Sequence, residues 1–76
     1  MKNSINYIEI LSRLKHERIK KNMTQEELAE ILGCSPKTIS DIETGRRNPS
    51  FKMFINICYV FHADINYIIF GEKNNK

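Results

Sequence analysis

The sequence predicts an all-α fold of five short helices in a single domain. Two patterns predict it: residues that cap helix ends recur at regular intervals, and apolar residues between the caps follow helical spacing. The length is the third observation, because a chain of 76 residues can bury only one hydrophobic core. We therefore expect one domain over residues 1–76, with an ordered core over about 6–71 and a frayed polar tail over 72–76.

The first helix is predicted over about residues 6–21. Leu11 and Leu14 lie on its apolar stripe, and Arg18 falls on the same stripe. Asn22 follows as a C-terminal cap, since asparagine tolerates the left-handed conformation. The helix therefore presents one apolar side, interrupted by a single cation, to the rest of the domain.

A very tight turn is predicted between the second and third helices. Thr24 and Glu27 form a capping box, in which each side chain accepts a hydrogen bond from the other residue's backbone N–H. This second helix ends at Gly33, and Ser35 followed by Pro36 is typical of the start of the next helix. Capping residues also mark the other boundaries. Helix three, over about 36–44, ends at Gly45, and helix four runs from its cap Ser50 to about Phe61. Helix five, over about 65–70, lies between the caps Asp64 and Gly71.

The composition leans mildly toward a polyanionic partner and argues against several other classes. Twelve Lys and Arg against nine Asp and Glu give a net charge of +3. Cys34 and Cys58 lack the spacing of a zinc site or a disulfide framework, so we expect buried, reduced thiols. His16 and His62 have no companion ligands, and no nucleophile is matched with a base. We expect no enzyme activity, no metal, no cofactor and no small-molecule substrate.

The longest apolar run is too short for a signal peptide or a membrane span. A cytoplasmic protein without a membrane partner is therefore expected.

The outward side of helix three is the candidate for nucleic-acid recognition. Successive helical residues turn by about 100°, so four polar side chains share one arc of about 100°: Lys37, Ser40, Asp41 and Thr44. Ile39 and Ile42 lie opposite them and anchor the helix in the core. An α-helix with such an exposed side fits the major groove of B-DNA.

The chemistry of these side chains suits base edges. Lys37 can donate to guanine O6 or N7, and Asp41 can accept from cytosine N4. Ser40 and Thr38 can bond either kind of edge or contact a thymine methyl group. The N-terminus of helix two offers unpaired N–H groups to a phosphate, and Gln25 adds a neutral donor there.

The string MTQEELAEILGCSPKTISDIETGRRNPS over residues 23–50 resembles the Cro/CI-type helix-turn-helix repressors, also called XRE-like regulators. The resemblance extends from about Leu11 to Phe70 and implies a lambda-repressor-like DNA-binding domain, with helices two and three as the helix-turn-helix. It implies that Gln25 binds a DNA phosphate and that Thr44 and Arg46 approach the backbone. It also implies a structural ion pair between Arg18 and Glu43.

With this resemblance we assign candidate contacts to double-stranded DNA. The candidate phosphate-binding residues are Thr24, Gln25, Thr44, Arg46 and Arg47. The candidate base-reading residues are Ser35, Pro36, Lys37, Thr38, Ser40 and Asp41. Three positions depart from the family pattern: Pro36 offers only an apolar contact, Asp41 stands where a basic or amide residue is usual, and His62 replaces a typical glycine. Asp41 should narrow specificity and weaken nonspecific affinity.

Helix four is the most apolar segment and predicts an interface. Its core stripe is expected to comprise Phe51, Phe54, Ile55, Cys58 and Phe61. More apolar residues remain than a monomer of this size can bury, so we expect a homodimer through Met53, Tyr59, Tyr67 and Phe70. Such a dimer would repress transcription from a pseudo-palindromic operator. The alternative is a protein-interaction module, or an antitoxin-like regulator, that uses the same surface for another protein.

Overall fold

Local capping sets the bounds of every helix in the computed structural model, which describes residues 5–71. The elements are α1 (Tyr7–Lys20), α2 (Gln25–Leu32), α3 (Pro36–Glu43), α4 (Phe51–Phe61) and α5 (Ile65–Phe70). No strand occurs within this range. The predicted all-α fold with five helices is confirmed, and the observed bounds agree with the predicted ones to within one residue. The predicted tail at 72–76 lies outside the described residues.

Each helix begins at a residue whose side chain accepts a hydrogen bond from a first-turn backbone N–H: Asn6, Thr24, Ser35, Ser50 and Asp64. The capping box of α2 is complete. Thr24 Oγ1 accepts from the N–H of Glu27 at 3.0 Å, and Glu27 Oε1 accepts from the N–H of Thr24 at 2.8 Å.

Two non-glycine residues adopt the left-handed conformation at helix ends. Asn22 has φ +56° one residue after the cap of α1, and His62 has φ +52° as the cap of α4. Asparagine visits this region several-fold more often than most residues, whereas glycine adopts it without strain. His62 therefore ends α4, at some conformational cost, in a conformation that glycine adopts without strain.

The core forms where α1 crosses α3, α4 and α5 and where α2 packs on α3 and α4. Every helix contributes to it: the buried apolar residues are Ile10, Leu11, Leu14, Leu28, Ala29, Ile39, Ile42, Ile57, Cys58, Phe61 and Ile68. Ile39 and Ile42 are buried, so α3 is anchored from one side, as its sequence predicts. Burying apolar surface is the main favourable contribution to such a fold.

The predicted core stripe of α4 is partly wrong. Ile57 is buried in place of Phe51 and Ile55, which are both exposed. Phe51 is the first residue of α4, and its side chain is exposed among residues 5–71. Cys58 is buried as expected, and burial raises the pKa of its thiol, whereas Cys34 is only half-buried.

Arg13 fastens α5 to α1. Its NH1 donates to the carbonyl of Ile68 at 2.8 Å and to that of Ile69 at 3.3 Å, and its NH2 lies 2.9 Å from Glu9 Oε1. A cation bonded to the last carbonyls of a helix stabilises its C-terminus. Gly71 follows with φ +77°, and a Cβ atom there would lie 2.5 Å from Arg13 NH2.

Candidate nucleic-acid interface

A three-residue connection joins α2 to α3, the two helices of the helix-turn-helix. Gly33 ends α2 with φ +76°, Cys34 donates from its N–H to the carbonyl of Ala29 at 3.0 Å, and Ser35 caps α3. Only a residue that accepts positive φ lets the chain reverse within so few residues. This turn fixes the orientation of α3 relative to α2.

The two sides of α3 differ sharply in burial. Ile39 and Ile42 lie in the core, whereas the Lys37 side chain is 79% exposed at the opposite side. Ser40 and Thr38 are half-buried, and Pro36 is exposed at the first helical position. The surface that α3 offers is therefore dominated by Lys37 and by the small polar groups beside it.

Asp41 lies recessed between two cations. Its side chain is 18% exposed, with Oδ2 3.3 Å from Lys37 Nζ and Oδ1 3.9 Å from Arg46 NH1. The Arg46 side chain is 74% exposed. The two exposed cations thus stand in front of the carboxylate, and a phosphate approaching this surface meets positive charge first.

Backbone hydrogen bonds hold the arginine loop against the end of α3. The N–H groups of Arg46 and Arg47 donate to the carbonyl of Asp41 at 2.8 and 3.1 Å, and the N–H of Gly45 donates to the carbonyl of Ile42 at 3.1 Å. Both arginine side chains are exposed. The loop therefore has a fixed backbone that carries two solvent-facing guanidinium groups.

Three hydroxyl groups of the site are already engaged. Thr44 Oγ1 donates to the carbonyl of Ser40 at 2.9 Å, so its hydrogen is not free for a phosphate. Ser35 Oγ accepts from the N–H of Thr38 at 3.1 Å and shares a 2.9 Å hydrogen bond with Thr38 Oγ1. These side chains shape the ends of α3, and any contact that they make with DNA requires a rearrangement or their remaining lone pairs.

A largely buried network connects the first three helices. Arg18 Nε lies 2.6 Å from Glu43 Oε2, and Arg18 NH2 lies 3.2 Å from Glu43 Oε1. Arg18 NH1 donates to the carbonyl of Met23 at 2.7 Å, and Gln25 Nε2 donates to Glu43 Oε1 at 3.0 Å. The structure thus brings together the two residues of the expected ion pair and adds Gln25 to them.

The N-terminus of α2 is more acidic than a simple phosphate site would be. Its first turn holds Glu26 and Glu27, and the capping box already uses the N–H groups of Thr24 and Glu27. The N–H groups of the first two helical residues have no partner inside the helix, by helix geometry. Gln25 lies there, half-buried, with its amide turned to Glu43. The candidate phosphate contact at this end rests on backbone N–H groups and the second amide hydrogen of Gln25.

Sequence reasoning missed two features of this site. It did not find the contact between Gln25 and Glu43, and it did not find the bracketing of Asp41 by Arg46. The spacing of Lys37 and Asp41, four residues apart on one helix, signals their own contact. The other two contacts cross between elements and leave no periodic signal.

The residues expected at a dimer interface fall into two groups. Met53 and Tyr67 are half-buried against the core, whereas Tyr59 and Phe70 are exposed. Phe51 and Ile55 lie on the same exposed face of α4 as Tyr59. Each step of four residues turns the helix about 40° past a full turn, so the three side chains span an arc of about 80°. We call Phe51, Ile55 and Tyr59 the α4 stripe.

Residues 5–71 contain no group of three or more His, Cys, Asp or Glu residues that could hold a metal ion. None of the helices in this range is long and apolar enough to cross a membrane.

Comparison with known proteins gives consistent matches. A family model described as Helix-turn-helix matches residues 14–68. The chain is 48% identical over 63 residues to an HTH-type transcriptional regulator of Archaeoglobus fulgidus, covering 82% of this chain and 89% of that protein. It is 41% identical to another such regulator, from Methanocaldococcus jannaschii, covering 83% of this chain and 96% of the relative.

A third relative is the ImmF control region 10 kDa protein of Bacillus phage phi105. It is 38% identical to this chain over 59 residues, covering 78% of this chain and 66% of the phage protein. No solved structure matches the chain.

Proposed function

Because this chain belongs to the helix-turn-helix family of DNA-binding transcriptional regulators, we propose that it is a repressor that reads its operator with α3 in the major groove. One observation carries the proposal: the exposed side of α3 presents Lys37, backed by Asp41 and Arg46, while its other side is anchored in the core. The major groove, about 12 Å wide, admits a helix in this way. The relative from phage phi105, named for a control region, supports a regulatory role.

Base reading and phosphate binding fall to different parts of this surface. We assign base contacts to Lys37 and Asp41, with Ser35, Pro36, Thr38 and Ser40 lining the same groove. Arg46 and Arg47 bind phosphates next to the helix, since their side chains are exposed and their backbone is fixed. Thr24 and Gln25 approach a phosphate at the N-terminus of α2. Thr44 lies next to the DNA backbone at the end of α3 but does not donate to it, because its hydroxyl hydrogen is bonded to the carbonyl of Ser40.

Arg18 and Glu43 act behind this surface. Their ion pair links α1 to the last residue of α3, and Gln25 joins the same carboxylate from α2. The network orients the recognition helix and holds the proposed phosphate contact of α2 in register with it. Neither Arg18 nor Glu43 is expected to contact DNA, because both side chains are at most 11% exposed.

A homodimer would present two copies of α3 to one face of DNA. Two half-sites one helical turn apart need recognition helices about 34 Å apart, so the operator would be a pseudo-palindrome. We assign the dimer contact to the α4 stripe together with Phe70, since these apolar side chains are exposed. We include Met53 and Tyr67 in the proposed interface as its half-buried members, which pack against the core. Repression then follows from occupancy of a promoter.

Selection from a random duplex pool tests the DNA proposal. We expect the chain to enrich an inverted repeat whose half-sites lie about 10 bp apart. For a dimer that neutralises about six to ten phosphates, affinity should fall about 10³- to 10⁵-fold between about 50 and 200 mM salt. Enrichment of no sequence, with equal binding to all duplexes, would contradict sequence-specific recognition.

Substitution on the α4 stripe tests the dimer. Tyr59→Glu puts a charge on the proposed interface, and Ile19→Glu is the matched control, because Ile19 is an exposed apolar residue of α1. By light scattering after size exclusion, we expect the parent and Ile19→Glu to be dimers and Tyr59→Glu to be a monomer. A parent chain that stays monomeric with and without DNA would overturn the dimer and favour a module that binds a different protein.

A further inference from the structure

Lys37 and Asp41 form a donor and acceptor pair at the surface that faces the proposed major groove. The two residues are four apart on α3, and Nζ of one lies 3.3 Å from Oδ2 of the other. The ammonium is largely exposed and the carboxylate is recessed behind it. The pair therefore offers to the same partner an exposed cation and, 3.3 Å from it, a less exposed anion.

A G·C base pair offers the complementary groups at nearly the same spacing. In its major-groove edge, guanine N7 and O6 are acceptors and cytosine N4 is a donor. Guanine O6 and cytosine N4 are joined by a Watson–Crick hydrogen bond, so they lie about 2.9 Å apart. In the same register an A·T pair places its N6 donor against the ammonium and its O4 acceptor against the carboxylate, which opposes both contacts.

We propose that Lys37 and Asp41 act as one unit that reads a single G·C base pair of the operator, Lys37 on guanine and Asp41 on the cytosine amino group. The inference rests on the proposed function, because it requires α3 to lie in the major groove. It adds the identity of one operator base pair and makes Asp41 a residue that determines specificity.

Arg46 permits a carboxylate to stand this close to DNA. Its NH1 lies 3.9 Å from Oδ1, the oxygen that Lys37 does not contact. Its backbone N–H donates to the carbonyl of Asp41 at 2.8 Å. When Lys37 turns toward guanine, Arg46 still balances the carboxylate charge against the phosphates. Oδ2 then accepts a hydrogen bond from the cytosine amino group, so the ammonium and the carboxylate each keep a hydrogen-bond partner.

A competing role for Asp41 makes a different prediction. If the carboxylate only neutralised Lys37 and Arg46, its removal would strengthen binding to every duplex by the same factor. If it reads cytosine, its removal relaxes one base position and leaves the others unchanged. The pattern across sequences separates the two roles, whereas a single affinity does not.

Fluorescence anisotropy on the selected duplex and on all its single base-pair variants provides the test. The variants are Asp41→Ala, which leaves no side-chain acceptor, and Lys37→Met, with Lys15→Met as the matched control because Lys15 is an exposed lysine of α1. We expect the parent to prefer G·C over A·T at one position of each half-site by about 10- to 100-fold. Both variants should lose that preference at the same position, while Lys15→Met should keep it.

A duplex with inosine paired to cytosine sharpens the result. Inosine keeps the O6 and N7 groups of guanine and lacks only its minor-groove amino group, so the parent should bind it as tightly as G·C. An unchanged preference in Asp41→Ala, a uniform gain on all duplexes, or relaxation of different positions by the two variants would overturn the inference while leaving the proposed function intact. A parent that selects no sequence would overturn both.

Discussion

Replacing Glu43 with leucine should destabilise the domain strongly. The Glu43 side chain is 6% exposed and accepts hydrogen bonds from both Arg18 and Gln25. Without its carboxylate, the Arg18 guanidinium keeps, among its partners within residues 5–71, the carbonyl of Met23 alone, in a largely buried position. Breaking a buried ion pair by removing one partner costs about 3 to 5 kcal/mol. At the usual stability per residue, a domain of this length has about 4 to 11 kcal/mol in total.

The double variant Arg18→Met with Glu43→Leu is the informative control. It removes both charges and fills the site with apolar atoms, so the desolvation cost of the pair disappears together with its attraction. We expect it to regain about 2 kcal/mol relative to Glu43→Leu, because such replacements are often neutral or stabilising. It should stay below the parent, because the Gln25 amide and the Met23 carbonyl lose their partners. The single variant should therefore be much less stable than the double variant.

Urea unfolding followed by far-ultraviolet circular dichroism measures both changes. Linear extrapolation gives the free energy of unfolding, and an unchanged m-value indicates that each variant exposes the same surface on unfolding as the parent. Together with Arg18→Met, the variants complete a double-mutant cycle for the pair. A loss below about 1 kcal/mol in Glu43→Leu, or a double variant no more stable than that single one, would refute the assignment of a strong buried pair.

Three further stability predictions concern helix ends and use the same unfolding assay. Gly71→Ala should cost more than Gly33→Ala: both glycines have positive φ, worth about 1 to 2 kcal/mol for alanine, but only at Gly71 would the Cβ displace Arg13 from the end of α5. Equal losses would contradict the role of Arg13. His62→Gly should stabilise by about 1 kcal/mol, since it relieves a left-handed non-glycine residue, and a loss would show that the ring itself stabilises the corner. Thr24→Ala should cost about 1 kcal/mol, and no change would mean that the capping box is replaced by water.

The helices and the turn between α2 and α3 could be predicted because their signals are local. A capping hydroxyl acts on an N–H three residues away, as at Thr24, Ser35 and Ser50. The burial of Ile39 and Ile42 follows from their position opposite the polar arc of α3. Such features depend on short stretches of sequence, so they are readable without knowledge of the fold.

The exposed face of α4 and the attachment of α5 could not be predicted in this way. Phe51, Ile55 and Ile57 are all large and apolar, and only the placement of the other helices decides which of them is buried. Arg13 reaches carbonyls that lie 55 and 56 residues away along the chain. Contacts of this kind arise from packing between distant segments, and the helical period contains no information about them.

The sequence identifies which residues share the candidate site, but it does not predict the charges that surround Asp41. The helical arc identifies Lys37 and Asp41, and the family resemblance suggests Arg18 and Glu43 as partners. The second cation beside Asp41 is Arg46, whose backbone N–H is hydrogen-bonded to the carbonyl of Asp41 in the loop after α3. The sequence alone leaves open whether Asp41 repels DNA, whereas the structure shows a carboxylate balanced by two exposed cations.

Mapping amide chemical shifts during titration with the selected duplex most directly tests recognition through α3. We expect the largest changes at the amides of Lys37 to Asp41 and in the loop at Arg46 and Arg47. The chemical shifts of the amides in the α4 stripe should change little, since we assign that stripe to the contact between protomers and not to DNA. Large changes confined to α4 and α5, with α3 unaffected, would mean that DNA binds elsewhere on the domain.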